Sequence, residues 1–338
     1  MNLLLNERPI FIIGAQRSGT TLLRYILSSH PRIYIPPESN FIPRYFGSSP
    51  NGTISRKRAI EIVEGILTYR MFFKDWKQGY PNPEHLVDSL PHRTPEYLLD
   101  ALYSQYAALF DAPRWGDKTP IYSDYIDLLT EIFPKAQFIH IIRDGRDVAL
   151  SMLNAYKGIR FFYVDIYYAA YVWNYRVNNA RRSGGRIGQG KYYELHYEDL
   201  TADPVNEIKM ICDFLDEDYD ESMTAPHSTA AEFHHSEGIH AGTRKHLNTD
   251  SVGKWKTRMS MEDLQLFQNV AGQLLADLGY NLRDVGGNSI TETVRFAGLK
   301  SKYNFIQYMK RLLKSLGVFH PTDILSRYFE PYPKRTSQ

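Results

Sequence analysis

The sequence predicts an α/β fold, a parallel sheet with helices on both faces, and three observations carry that expectation. Apolar, strand-like runs recur at Pro9–Ile13, Gln137–Ile142 and Tyr192–His196. Stretches of helical period separate them, at Thr20–Ser29, Pro95–Phe110, Tyr122–Phe133, Asp147–Tyr156 and Pro204–Leu215. The first two runs each end in a glycine-bearing turn that opens directly onto a helix. Strands alternating with helices pair in parallel and are covered on both faces. Ligands of such sheets sit beyond the C-terminal strand ends, where both turns fall.

The first strand runs through Phe11, Ile12 and Ile13 into Gly14-Ala15-Gln16-Arg17-Ser18-Gly19-Thr20-Thr21, followed by the helical pattern Leu22, Leu23, Tyr25, Ile26 and Leu27. Successive backbone N–H groups and a helix N-terminus then surround one point, which suits an anion. Gly14 and Gly19 have the spacing of a nucleotide-binding P-loop. That loop also needs a Lys for the outer phosphates and a Ser or Thr for Mg²⁺. Here Thr20 stands in the Lys position, and the positive charge has moved into the loop at Arg17. The fold expected is therefore P-loop-like, with a phosphate site that lacks the usual metal apparatus.

The second run, Phe138-Ile139-His140-Ile141-Ile142, leads into Arg143-Asp144-Gly145-Arg146-Asp147 and a helix that carries Ser151. A guanidinium ending the strand and a hydroxyl in the first part of the helix can grip one phosphate from two sides. The residues alone leave a second reading open, in which Arg143, Asp144, Arg146 and Asp147 pair with one another and cap the helix.

Together the two loops resemble those of sulfotransferases that use 3′-phosphoadenosine 5′-phosphosulfate (PAPS). The wording Arg-Ser-Gly-Thr-Thr-Leu is similar to tyrosylprotein sulfotransferases and their bacterial relatives, and the likeness covers roughly residues 8–280. It implies that Arg17, Ser18, Gly19, Thr20 and Thr21 wrap the donor's 5′-phosphate and sulfonate, and that Arg143 and Ser151 hold its 3′-phosphate. The run Ile35-Pro36-Pro37-Glu38-Ser39-Asn40-Phe41-Ile42-Pro43-Arg44 resembles the family's acidic segment and implies Glu38 as general base. Asn40 takes the place of an arginine with which those relatives recognise acidic peptides, which argues against a peptide tyrosine acceptor.

The segment Trp115-Gly116-Asp117-Lys118-Thr119-Pro120, read as a Gly/Pro turn, resembles the family's lysine-bearing turn. It implies Lys118, with Arg17, as the cations at the reacting group. Glu194-Leu195-His196-Tyr197-Glu198-Asp199-Leu200 resembles a strand-end segment that would place Tyr197 near the adenosine. Val252-Gly253-Lys254-Trp255 resembles a closing loop that lends Lys254 to the donor's phosphates. Asp203, ahead of Pro204, reads as a helix N-cap on its residues alone.

Composition bounds the rest. The chain has 338 residues, 43% of them hydrophobic and 23% charged, with a net charge of +2. These values fit a globular protein and give no case for a nucleic-acid partner. The expected organisation is a sulfotransferase domain over residues 1–284 and a helical extension over 285–338. The single cysteine, Cys212, lies in an apolar helical pattern and is expected to be buried filler. No signal peptide or membrane span is legible, so a cytoplasmic enzyme is expected.

Residues 44–94 read as an insertion over the sheet, and residues 225–258 as a long loop or lid. His227, His234, His235 and His240 match no zinc spacing, and no metal is expected. The aromatic run Phe161, Phe162, Tyr163, Tyr167, Tyr168, Tyr171, Trp173 and Tyr175 reads as packing, with an acceptor pocket as the alternative. In the extension, Phe305, Ile306, Met309, Leu312, Leu313 and Leu316 share a helical face, and Lys302, Lys310, Arg311 and Lys314 make the remainder basic. Such a helix suits docking on its own domain, a homodimer contact or an anionic membrane surface.

The function expected is sulfonate transfer to the hydroxyl of a carbohydrate, lipid or small molecule. Rival readings are a non-catalytic nucleotide-binding scaffold and a P-loop kinase.

Overall fold

Five parallel strands, in the order β2-β3-β1-β4-β5, form the sheet of the computed structural model. They are β1 (Ile10–Ile13), β2 (Ile33–Tyr34), β3 (Arg114–Lys118), β4 (Gln137–Ile142) and β5 (Tyr192–His196). Residues 8–69, 72–73, 76, 80–157, 164–226, 249–286 and 290–315 are described. Strand β1 lies at the centre, with Phe11 aligned on Asp117 of β3 and on Phe138 of β4. The chain thus builds outward from β1 first to one side and then to the other, which makes the end of β1 the switch point where ligands bind.

Burial on both faces follows from the alternation along β1. Phe11 and Ile13 enter one core with Tyr34, Trp115 and Phe138. The helices α2 (Ile42–Phe46), α3 (Arg56–Leu67), α4 (Pro83–Asp88), α5 (Pro95–Ala108) and α6 (Ile126–Ile132) complete it. Ile10 and Ile12 face the opposite way, into a core shared with α1 (Thr20–Ser28). A third core lies between α7 (Gly145–Ala155) and α8 (Ile166–Ile187). Next come α9 (Tyr197–Ala202), α10 (Pro204–Leu215), α11 (Trp255–Arg258), α12 (Met261–Asp277) and α13 (Ile290–Ser315).

Two expectations need correction. The segment read as a turn at Trp115–Lys118 is strand β3, with Gly116, Asp117 and Lys118 paired to Ile10, Phe11 and Ile12. Its side chains are too polar to give an apolar run, yet all five residues are buried. The helix expected over Tyr122–Phe133 is split, because Tyr125 (φ −131°) separates a 3₁₀ turn, Pro120–Asp124, from α6. Elsewhere Asp203 caps α10, its Oδ1 accepting from the Asn206 amide at 3.3 Å, and Cys212 is buried in the helix's core face.

Helix α13 docks on α8. Tyr303 stacks on Tyr167 (ring centroids 5.2 Å) and Tyr168 (5.6 Å), and its hydroxyl donates to Asp165 at 2.9 Å. Tyr167 and Trp173 are core residues. The four histidines, Phe161 to Tyr163, most of the expected lid and Leu316 lie outside the described residues, as do the side chains of Ile306, Lys310, Arg311, Leu313 and Lys314.

Candidate active site

Each strand delivers one candidate residue from its C-terminal end. Arg17 follows β1, Glu38 follows β2, Lys118 closes β3, Arg143 follows β4 and Tyr197 follows β5. The loop after β1 is tightly constrained. Gly14 approaches the carbonyl of Ile141 so closely that a Cβ would lie 2.5 Å from it. Gly19 takes φ +102°, with the Tyr197 ring 2.5 Å from where its Cβ would be. Arg17 itself has φ 71°, a left-handed conformation that bulky residues seldom adopt. Helix α1 then starts at Gly19 without a side-chain cap, leaving its first-turn amides for an anion.

Arg17 sits between the other donor-site candidates. Its Nε donates to Ser151 Oγ at 3.1 Å, while its carbonyl accepts from Arg143 Nη1 at 3.2 Å. The Arg143 guanidinium lies 4.5 Å over the Tyr197 ring. Burial, opposed by Tyr156 and reinforced by the like charge of Arg143, lowers the Arg17 pKa from its ordinary value. A guanidinium remains charged after such a shift. Ser18 is fully buried, and its Oγ has no hydrogen-bond partner. The site therefore gathers two cations, an orphaned hydroxyl and an uncapped helix end, a donor set suited to phosphate or sulfonate oxygens.

Glu38 and Lys118 form a second group. Lys118 Nζ donates to Glu38 Oε1 at 2.8 Å, with Lys118 almost wholly buried and Glu38 about one-third exposed. The chains that carry them are fastened together directly behind the pair. The Ser39 amide donates to Thr119 Oγ1 at 3.1 Å, and the Ser39 and Tyr122 hydroxyls share a hydrogen bond of 2.7 Å. The Tyr103 hydroxyl donates to Asp117 Oδ2 at 2.5 Å. This buried cluster escaped sequence reasoning, although Ser39, Asp117 and Thr119 are immediate neighbours of the two candidates. A polar residue inside a fully buried strand was the available signal, but it is legible only once β3 is recognised.

Burial pushes the Asp117 carboxyl up to about 6, against hydrogen bonds that favour its charged form. The native chain then holds this proton more tightly than the unfolded chain does. Stability therefore falls as pH rises from the unfolded carboxylate range, near 4, towards about 6, and stays lower above it. For this group the loss amounts to roughly 3 kcal/mol. Urea unfolding of wild type and Asp117→Asn should show their stability difference changing across that window; an unchanged difference from about pH 4 to about pH 7 would refute the shift.

The remaining candidates lie around the 3′ side. Asp144 and Arg146 do form a buried ion pair at 2.8 Å, and the Asp144 side chain caps α7. The pairing reading therefore holds for these two, whereas Arg143 turns to the loop after β1. Asp147 Oδ2 accepts from the Gly253 amide at 2.6 Å and its Oδ1 from the Trp255 amide at 2.8 Å. Lys254 stands within this tethered turn, and no hydrogen bond among the described residues ties its ammonium to the strand-tip groups.

Residues 9–221 match the sequence profile of the sulfotransferase family. The chain belongs to that family. Among sulfotransferase relatives, the protein-tyrosine sulfotransferase of Drosophila melanogaster is 24% identical over 81% of this chain and 52% of its own length. The omega-hydroxy-beta-dihydromenaquinone-9 sulfotransferase of Mycobacterium tuberculosis is 27% identical over 62% of this chain and 63% of its own. The chain thus spans less than two thirds of either relative. A solved sulfotransferase domain from the curacin biosynthetic pathway shares the fold, with TM-score 0.54 and 20% identity over 82% of this chain and 99% of that one.

Proposed function

We propose that this chain transfers a sulfonate group from PAPS to an acceptor hydroxyl, with Glu38 as general base. The observation that carries the reading is the Lys118–Glu38 pair at 2.8 Å, held at the strand ends beside the phosphate-type donor set of Arg17, Ser18 and Arg143. When bound, the donor supplies an activated sulfonate on a phosphate leaving group. Glu38, as a carboxylate, accepts the acceptor's proton as the hydroxyl oxygen bonds to sulfur. Lys118 and Arg17 offset charge on the departing phosphate, aided by the α1 amides and by Ser18, Gly19, Thr20 and Thr21. Arg143 and Ser151 bind the 3′-phosphate, Tyr197 offers a ring to the adenosine, and Lys254 reaches the phosphates from its turn.

The acceptor is a small-molecule, lipid or carbohydrate alcohol. The name of the mycobacterial relative, a sulfotransferase for a hydroxylated menaquinone, supports an alcohol of this kind, and Asn40 in place of a peptide-reading arginine points the same way. The reading is tested by thermal denaturation with 3′-phosphoadenosine 5′-phosphate, adenosine 5′-phosphate and Mg·ATP. The bisphosphate alone should raise Tm, by a shift equivalent to roughly 2–3 kcal/mol at a hundredfold excess over Kd. An equal shift from adenosine 5′-phosphate would remove the 3′ clamp, and a shift from Mg·ATP alone would return the chain to the kinases.

A further inference from the structure

Among its described side chains, helix α13 shows two apolar faces, and one of them packs on the core. At about 100° per residue, Phe296, Leu299 and Tyr303 share one side of the helix, and these are the residues packed into the core. Val294, Phe305, Tyr308 and Leu312 fall on the opposite side, within an arc of roughly 60°. Three of these side chains are largely exposed, Val294 at 66%, Phe305 at 64% and Tyr308 at 62%. Its flanks are basic. Arg295 and Lys302 run along one edge and Lys300 along the other, with Arg295 also reaching Glu262 at 3.5 Å. Between Val294 and Tyr308 the sequence holds these three basic residues and no acidic one.

We propose that α13 is an interfacial helix whose Val294–Phe305–Tyr308 face enters the surface of an anionic membrane. An exposed apolar stripe with aromatics, edged by Lys and Arg, matches the chemistry of a bilayer interface carrying anionic headgroups. No described helix is long and apolar enough to cross a membrane, so α13 lies on the surface rather than spanning it. A second copy fits the same face poorly. Two such stripes placed face to face would set the Lys300 and Lys302 flanks of one copy against those of the other, with no acid between Val294 and Ser315 to offset the repulsion.

The membrane contact does not rest on the sulfotransferase reading of the site.

Co-sedimentation of the full chain with vesicles tests the contact independently of activity. Phosphatidylcholine vesicles are compared with vesicles that also contain phosphatidylglycerol. The wild type should bind the anionic vesicles at least about tenfold better, and added salt should weaken that binding. The double variant Phe305→Ser, Tyr308→Ser should lose about tenfold in binding with Tm unchanged, because both side chains are exposed. Equal binding to both vesicle types, or undiminished binding by the double variant, overturns the proposal. So does a dimer, seen by analytical ultracentrifugation, that the same two substitutions dissociate while wild type ignores vesicles.

Discussion

Replacing Glu38 with Gln is expected to lower kcat by about 10²–10⁴-fold, the usual contribution of a positioned general base. Gln keeps the length and the carbonyl oxygen, so Lys118 Nζ retains an acceptor at the position where Glu38 Oε1 now lies 2.8 Å away. What disappears is the lone pair that can take a proton at neutral pH. The Ser39–Thr119 and Ser39–Tyr122 hydrogen bonds involve neither carboxylate oxygen, so the loop should stay in place. Binding of 3′-phosphoadenosine 5′-phosphate should accordingly remain within about twofold. Turnover is measured with labelled donor and the best alcohol from an acceptor panel, and product-nucleotide binding by thermal shift. Parallel loss of both would make Glu38 a structural partner of Lys118 and remove it as the base.

The second large effect is expected at Arg146. Its guanidinium is 1% exposed and donates through Nε and Nη2 to the two Asp144 oxygens, at 2.9 and 2.8 Å. Its Nη1 donates to the Asn281 carbonyl at 2.9 Å, and it lies 3.6 Å over the Trp255 ring. Arg146→Met keeps much of the volume but leaves Asp144 buried without its counter-charge. Breaking one side of a buried pair costs about 3–5 kcal/mol, measurable by urea unfolding. Adding Asp144→Asn should recover most of that loss, since Asn still caps α7 and carries no charge. A double variant no more stable than the single would show that packing on Trp255, not charge pairing, sets the cost. Because Trp255 adjoins Lys254, the single variant should also weaken nucleotide binding, by about tenfold.

The parts of this fold legible in the sequence are those where one physical signal dominates. Strands β1 and β4 are apolar on both faces because helices cover both sides, and an uninterrupted apolar run announces that. The loop after β1 was legible because glycine is needed where backbone crosses backbone, at Gly14, and where a ring lies against the chain, at Gly19. Strand β3 was not, since its Asp117 and Lys118 interrupt the apolar signal. In this buried strand, Tyr103 and Glu38 supply them with hydrogen-bond partners, Glu38 from far away in sequence. Glu38 and Lys118 were reached through resemblance rather than spacing. Eighty residues separate them, and no local period brings such a pair together. The hydrogen bond from Arg17 to Ser151 was hidden for the same reason.

A site assembled from five strand tips also reports on how those strands are paired. Sliding one parallel strand by two residues would keep its faces in the correct cores yet carry its tip residue about 6–7 Å along the sheet. The register Phe11 with Asp117 and Phe138, and Ile142 with His196, is thus what sets Arg17, Lys118, Arg143 and Tyr197 side by side. A chain that folded with one slipped strand could retain its helices and much of its burial while its strand tips no longer met. Turnover would then be a stricter criterion of correct folding than circular dichroism or melting temperature, since it samples the pairing of the whole sheet at once.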